Sequence, residues 1–274
     1  MLIAYGDDSA DETRSRVFAA GAVVAGQDDW DVFLPRWLEK NPKERPFHAT
    51  DCDSDRGDFK ARKHEENKRL YADNVRLFVN SLLIGAAVSV SIKDYWEIFP
   101  FAPDDKLWPY YICFTGVLAC ICRVAQVLIP PEGVKVIFDK DPAKELDTGR
   151  IFDLIAKHPD GLPECLAGRV GFGDHREVIG LQVADLLARE SMKELDNEVQ
   201  GSPRWPRQSL IELRRSMRFD TVQWNKAKLE AHAAMAEKLH GDPARAREFR
   251  EWLSRNGLRD SIHARLHFLA ERGR

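Results

Sequence analysis

The chain has 274 residues, 44% of them hydrophobic and 31% charged, with a formal net charge of −3. Length and balance suit a soluble globular protein of one large domain, or one domain with an appendage. The first residues carry no basic segment followed by an apolar one, which sets aside a secretion signal, and Arg123 and Gln126 interrupt the apolar run at 111–130, which reads as a buried helix rather than a membrane span.

The net charge hides an asymmetry. Residues 1–200 hold 25 Lys and Arg against 35 Asp and Glu, whereas residues 201–274 hold 16 against 9. Two readings of the basic end stay open: a surface for nucleic acid, or a solvated helical face docked on the acidic body. The five cysteines, Cys52, Cys113, Cys120, Cys122 and Cys165, include no Cys-x-x-Cys pair. They offer no zinc site, and an odd, unpatterned set fits a reducing cytoplasm.

In chain order, residues 2–6 predict a first strand and residues 17–25, small and β-branched, a second, joined as a hairpin across polar 9–16. Asp28 or Asp29 is expected to cap a helix whose apolar positions are Trp30, Phe33, Leu34, Trp37 and Leu38. "NPKERPF" ends it, and "HATDCDSDRGDF" is expected as an ordered loop. Residues 60–83 predict a long amphipathic helix and 84–92 a third strand. A Trp- and Pro-rich loop, with at most a short helix, leads to an apolar helix at about 111–129, ended by Pro130 and Pro131. Residues 134–138 form the fourth strand and run into Asp139. A helix at 143–157, a fifth strand at 166–172 and a helix at 178–195 follow. Beyond them helices are expected at 207–217, 222–240, 243–256 and 258–271, and no strand.

Three early strands suit an antiparallel meander, and the later alternation suits parallel crossovers. The expected fold class is therefore α/β: a ribonuclease H-like mixed five-stranded sheet flanked by helices over residues 1–200, with a helical insertion at about 28–83 and a basic helical extension over 201–274.

This topology brings carboxylates together. If the first and fourth strands are parallel neighbours, Asp7 and Asp139 emerge side by side. Gln182, Asp185 and Arg189 share one face of the helix "GLQVADLLA" by their spacing of three and four, while Ile179, Val183, Leu186 and Leu187 take the other. Convergent carboxylates repel one another, and a divalent cation with a taste for hard oxygen ligands, Mg2+ or Mn2+, removes that cost. Such a site can polarise a phosphodiester. The plainer reading makes Asp7 and Asp8 a turn, Asp139 and Asp141 an Asx-turn before Pro142, and Asp185 a surface residue. Strand alternation puts Asp7 and Asp8 on opposite faces, so one of the two is expected as a ligand.

"YGDDS" near the N-terminus and "LQVADLLA" later resemble the two signature motifs of the bacterial family called domain of unknown function 3800, a strand ending in Asp-Glu-Ser and a Gln-x-x-Asp. The resemblance covers roughly residues 1–195; Asp8 stands where the family has Glu. It implies a ribonuclease H-like fold, Asp7 and Asp185 as metal ligands, and Gln182 as a residue that orients a ligand or a water. Asp139 follows from topology instead. Asp174 and His175, just before the motif helix, are expected to line the site, His175 either as a general base or as a hydrogen-bonding loop residue.

The cluster His48, Asp51, Asp53 and Asp55 is read as a loop lining the site mouth or as an ordinary turn cluster, since it lacks the glycine and closing glutamate of an EF-hand. His263 and His267 are spaced for a metal but lack the rest of a zincin motif. No P-loop, dinucleotide fingerprint or Gly-x-Ser-x-Gly occurs. The expected function is a divalent-metal-dependent nuclease or phosphodiesterase built on Asp7, Asp139 and Asp185. The competing expectation is a non-catalytic binding protein on the same fold, linked to mobile elements or defence. The basic C-terminal segment is the expected contact for nucleic acid.

Overall fold

The computed structural model describes residues 1–99, 108–127, 133–140, 165, 170–201 and 205–241. Strands β1 (Leu2–Ala10), β2 (Val17–Gly26) and β3 (Ile84–Ser91) form an antiparallel meander. β4 (Val134–Asp139) lies parallel to β1, from Leu2 opposite Val134 to Gly6 opposite Phe138, and β5 (Gly171–Gly173) lies parallel to β4. In the order β5-β4-β1-β2-β3 only β2 runs against its neighbours, which is the ribonuclease H-like arrangement.

A sixth strand extends this sheet. β6 (Phe219–Trp224) pairs parallel with the free edge of β3, from Gly85 opposite Phe219 to Val90 opposite Trp224. It corrects the expectation of five strands and of an all-helical region after residue 201. The signal was present: Phe, Thr, Val and Trp in six residues favour a strand. Its short length let the flanking helices α7 (Gln208–Arg215) and α8 (Lys226–Gly241) dominate the pattern. The segments read as helices at 143–157, 243–256 and 258–271, with His263 and His267, lie outside the described residues.

The insertion between β2 and β3 carries α1 (Gln27–Lys40), α2 (Ala49–Ser54), a 3-10 turn at Gly57–Phe59 and α3 (His64–Val79). Gly26 is the N-cap of α1, so Asp28 and Asp29 sit inside its first turn, at the positive end of the helix dipole, rather than capping it. Where an irregular loop was expected, α2 forms a short helix. After β3 come α4 (Ile92–Ile98) and α5 (Trp108–Val127). No helix among the described residues is long and apolar enough to cross a membrane. Cys122 of α5 and Cys165 form a disulfide with Cα atoms 5.8 Å apart. Sequence spacing gave no sign of it because the two cysteines lie 43 residues apart.

The pleat sorts the core into two layers. Leu2, Ala4, Ala20, Ala22, Val88 and Phe138 face α5 with Phe114, Val117 and Leu118. Ile3, Tyr5, Val23, Ala25 and Ala87 face the other way, with Val183, Leu186 and Leu187 of α6 (Gly180–Val199) and with Trp30 and Trp37 of α1. Gly21 lets α6 lie against the backbone of β2: a Cβ there would stand 2.6 Å from the Ala188 nitrogen and 2.9 Å from the Ala184 oxygen.

The β1–β2 turn is knotted around buried Asp11. Its Oδ1 accepts from the main-chain N–H groups of Ser15, Arg16 and Val17, and its Oδ2 from the N–H and hydroxyl of Thr13. Burial alone would raise this carboxyl, but the Thr13 hydroxyl and the N–H groups of Val17, Arg16 and Thr13 outweigh it and lower it from 3.8 to about 2. A folded-state pKa below the unfolded value contributes stability above the unfolded pKa, and that stability is lost as pH falls through the folded one. Asp11→Asn is therefore expected to cost about 2 kcal/mol at neutral pH, a difference that shrinks between about pH 4 and pH 2. Urea unfolding of both proteins across that range measures it; a pH-independent difference contradicts the assignment. Gly21→Val is expected to destabilise by roughly 1–3 kcal/mol, read as a lower thermal midpoint, because α6 must lift from the sheet.

Candidate active site

Alternation along β1 decides between the two adjacent carboxylates. Asp7 shares the parity of Ile3 and Tyr5 and points to the α6 side; Asp8 points to the α5 side, where its charge helps raise the buried Cys113 thiol, an effect smaller than that of burial. β4 lies beside β1 in register, so Asp139, one residue past Phe138, comes level with Asp7 on the same face. Asp185 descends from α6 to meet them.

The electrostatics register this approach. Burial first, then the charges of Asp185, Asp8 and Asp139, push the Asp7 carboxyl well above the ordinary carboxylate range, against a lowering hydrogen bond from the Asp8 N–H. Asp185 is also raised by burial, opposed by His48, the Ala49 N–H, His175 and Arg189.

Each of the three carboxylates is pinned by one oxygen to a main-chain N–H. Asp7 Oδ1 accepts from Asp8 N at 2.6 Å, Asp139 Oδ1 from His175 N at 3.2 Å, and Asp185 Oδ2 from Ala49 N at 2.7 Å. Among the described residues, Asp7 Oδ2, Asp139 Oδ2 and Asp185 Oδ1 receive no hydrogen bond from the protein. These are hard oxygen donors, the chemistry a Mg2+ or Mn2+ ion takes. Among the described residues no three Asp, Glu, His or Cys side chains stand close enough to make a preassembled cage. The donor set matches such an ion in ligand chemistry.

Two histidines flank the acids. His175 Nδ1 stands 3.6 Å from Asp139 Oδ1 and 3.9 Å from Asp174 Oδ1. Its pKa is raised, first by hydrogen bonding to Asp139 against the opposing effect of burial, then by the charges of Asp139, Asp174 and Asp185. The His48 ring stacks on His175 with centroids 6.0 Å apart and planes inclined by 28°. His48 also pairs with Asp51, at 3.1 Å. Asp174 is more exposed, and its Oδ1 accepts from Arg176 N, so it serves the turn before α6.

Gln182 lies beneath the acids rather than among them. Only 1% exposed, its Oε1 accepts from Trp37 Nε1 and Phe47 N, and its Nε2 donates to the His175 carbonyl. It fastens the residue before His48 and the carbonyl of His175 to α6, and so positions both imidazoles. The cluster at 48–55 does not converge. Asp53 takes Arg189 and a two-pronged bond from Arg207; Asp55 takes His64 and Asn67. Glu190, fully buried, is met by Tyr71, Ser209 and Arg207. Sequence reading missed the Ala49 N–H and this Arg–Asp–Glu network. Spacing had singled out Arg189, but its partners lie more than a hundred residues away in sequence.

No protein-family model matches the chain, and no curated protein matches it. Among solved structures it is similar to ribonuclease HII of Archaeoglobus fulgidus, determined with PCNA, at 14% identity over 79% of this chain and 87% of that one, with a TM-score of 0.42. It is also similar to ribonuclease H2 of Pyrococcus horikoshii OT3, at 10% identity over 88% and 90%, with a TM-score of 0.39. The fold assignment rests on strand order and direction.

Gln182→Ala strands the Trp37 and Phe47 donors in the core. The expected cost is roughly 2–4 kcal/mol of stability, measured by urea unfolding; a change below about 0.5 kcal/mol contradicts the tethering role.

Proposed function

We propose that the protein is a divalent-metal-dependent phosphodiesterase acting on nucleic acid, with Asp7, Asp139 and Asp185 holding Mg2+ or Mn2+. What supports the reading is that Asp185 and Asp139 lie near enough for their charges to raise Asp7, and that each of the three carboxylates is pinned by one oxygen with the other left without a protein donor among the described residues. The motif resemblance to the domain-of-unknown-function 3800 family, and a cytoplasmic setting, belong to the same reading.

The bound cation would supply Lewis-acid polarisation of a phosphodiester and an activated water. The chain's own residues do the rest. Main-chain N–H groups of Asp8, His175 and Ala49 fix the three carboxylates before substrate arrives. The pKa of His175 is raised above that of a free imidazole, with Nδ1 turned to Asp139; its Nε2 would then donate to a leaving oxygen. Gln182 and the stack with His48 hold that ring in place. Asp8, on the opposite face, is not a ligand in this scheme.

Calorimetric titration with Mn2+ at neutral pH tests the reading. Wild type and Asp8→Asn are expected to bind, while Asp7→Asn and Asp139→Asn lose at least tenfold in affinity and, on DNA and RNA substrates, at least a hundredfold in cleavage. Retained cleavage in both Asp7→Asn and Asp139→Asn overturns it.

A further inference from the structure

Residues 56–63, "RGDFKARK", place four cations and one anion in eight residues of an otherwise acidic body. The segment is built rather than loose. Asp55 adopts a left-handed conformation (φ 54°) and binds His64 and Asn67; Phe59 is buried, its ring 6.3 Å from that of Phe47; the Asn67 amide also donates to the Phe59 carbonyl. Phe47 precedes His48, and the Arg56 N–H bonds to the carbonyl of Asp51, the partner of His48. The cationic segment therefore begins one contact from the imidazole stack beside Asp139 and Asp185.

Its charges point outward. Arg56, Lys60 and Lys63 are exposed; Arg56 also reaches Glu12 across the β1–β2 turn, and Arg62 stands 4.0 Å from Glu66. No acid pairs with Lys60 or Lys63 among the described residues. Lys63 is moreover the N-cap of α3, where the helix dipole disfavours a cation. A turn that is rooted by a buried aromatic and holds Lys60 and Lys63, without acid partners among the described residues, beside a helix N-terminus breaks a local electrostatic rule.

We infer that residues 56–63 are the backbone track for the nucleic-acid strand entering the site, with Lys60 and Lys63 on its phosphates. The inference rests on the proposed function and names its substrate-binding surface, on the insertion instead of the basic C-terminal end. Contacts of this kind read charge and not sequence.

The test is fluorescence anisotropy with labelled single-stranded DNA and RNA of about 20 nucleotides, in EDTA, over a range of salt. Lys60→Gln/Lys63→Gln is compared with wild type and with Arg215→Gln/Arg218→Gln, an equal loss of charge beside β6 at the far edge of the sheet. Loss of two phosphate contacts is expected to weaken binding about tenfold and to reduce the salt slope by roughly 1.4, with the control pair much closer to wild type. An effect on one nucleic acid alone assigns the track to that one. Equal effects of the two double variants, or no binding by wild type to either strand at low salt, overturn the inference. Manganese titration separates the failures: Lys60→Gln/Lys63→Gln keeps wild-type Mn2+ affinity, and a wild type that binds strands but no Mn2+ defeats the catalytic reading while leaving the track in place.

Discussion

The structure depends on a polar helix whose first thirteen residues, 180–192, are all buried. Gly21 and the small residues Ala184 and Ala188 bring α6 into backbone contact with β2. Its far side, with Gln182, Asp185, Arg189 and Glu190, would face water in a bare sheet-and-helix layer. Here each of those residues is at most 4% exposed. A buried charge without a partner costs several kcal/mol. The cover over α6 must therefore supply partners at fixed points. It does so with Trp37 and Phe47 for Gln182, Ala49 for Asp185, Asp53 for Arg189, and Tyr71 and Ser209 for Glu190. The conformation of the insertion is largely the answer to this demand.

That dependence explains what could be read from the sequence and what could not. Strands β1 to β4 announce themselves as short apolar or β-branched runs, and the period of two by itself assigns Asp7 and Asp8 to opposite faces. The spacing of Gln182, Asp185 and Arg189 likewise gives a shared helical face. Spacing cannot say what covers that face, because the covering groups come from residues 37–53 and 207–209, and two of them are main-chain N–H groups with no side-chain signature. The helix α2 was missed for a related reason. Six residues are too few to show a period, and what holds them is the Asp185 carboxylate at one end and the left-handed Asp55 at the other. β6 was lost because a six-residue strand between two helices gains its stability from the edge of β3.

The same cover prepares the acids for chemistry. A carboxylate free to rotate would relieve repulsion by swinging into solvent. Asp7, Asp139 and Asp185 are each held by a main-chain donor, and the Asp7 carboxyl is raised first by burial and then by the charges of Asp185, Asp8 and Asp139. On the proposed reading, that environment would favour a positive charge beside the three. Gln182 extends the arrangement to the imidazoles, since one side chain grips the segments before His48 and at His175.

An acidic site poses a problem for an anionic substrate. At about 10 Å, unscreened unit charges in a medium of effective dielectric 20 repel by roughly 1.7 kcal/mol per pair, and the body of this chain is acidic besides. One bound cation corrects the field at the scissile phosphate but not along the strand on either side, which salt screens only beyond about 8 Å. Positive charge is needed within a few nucleotides of the acids and fixed to the same frame. On the proposed reading the turn at 56–63 would supply that charge, because Phe59 roots it in the aromatic cluster around Phe47 and Tyr71 that also supports His48. The insertion that satisfies α6 from above would then also carry the charges that an anionic strand requires.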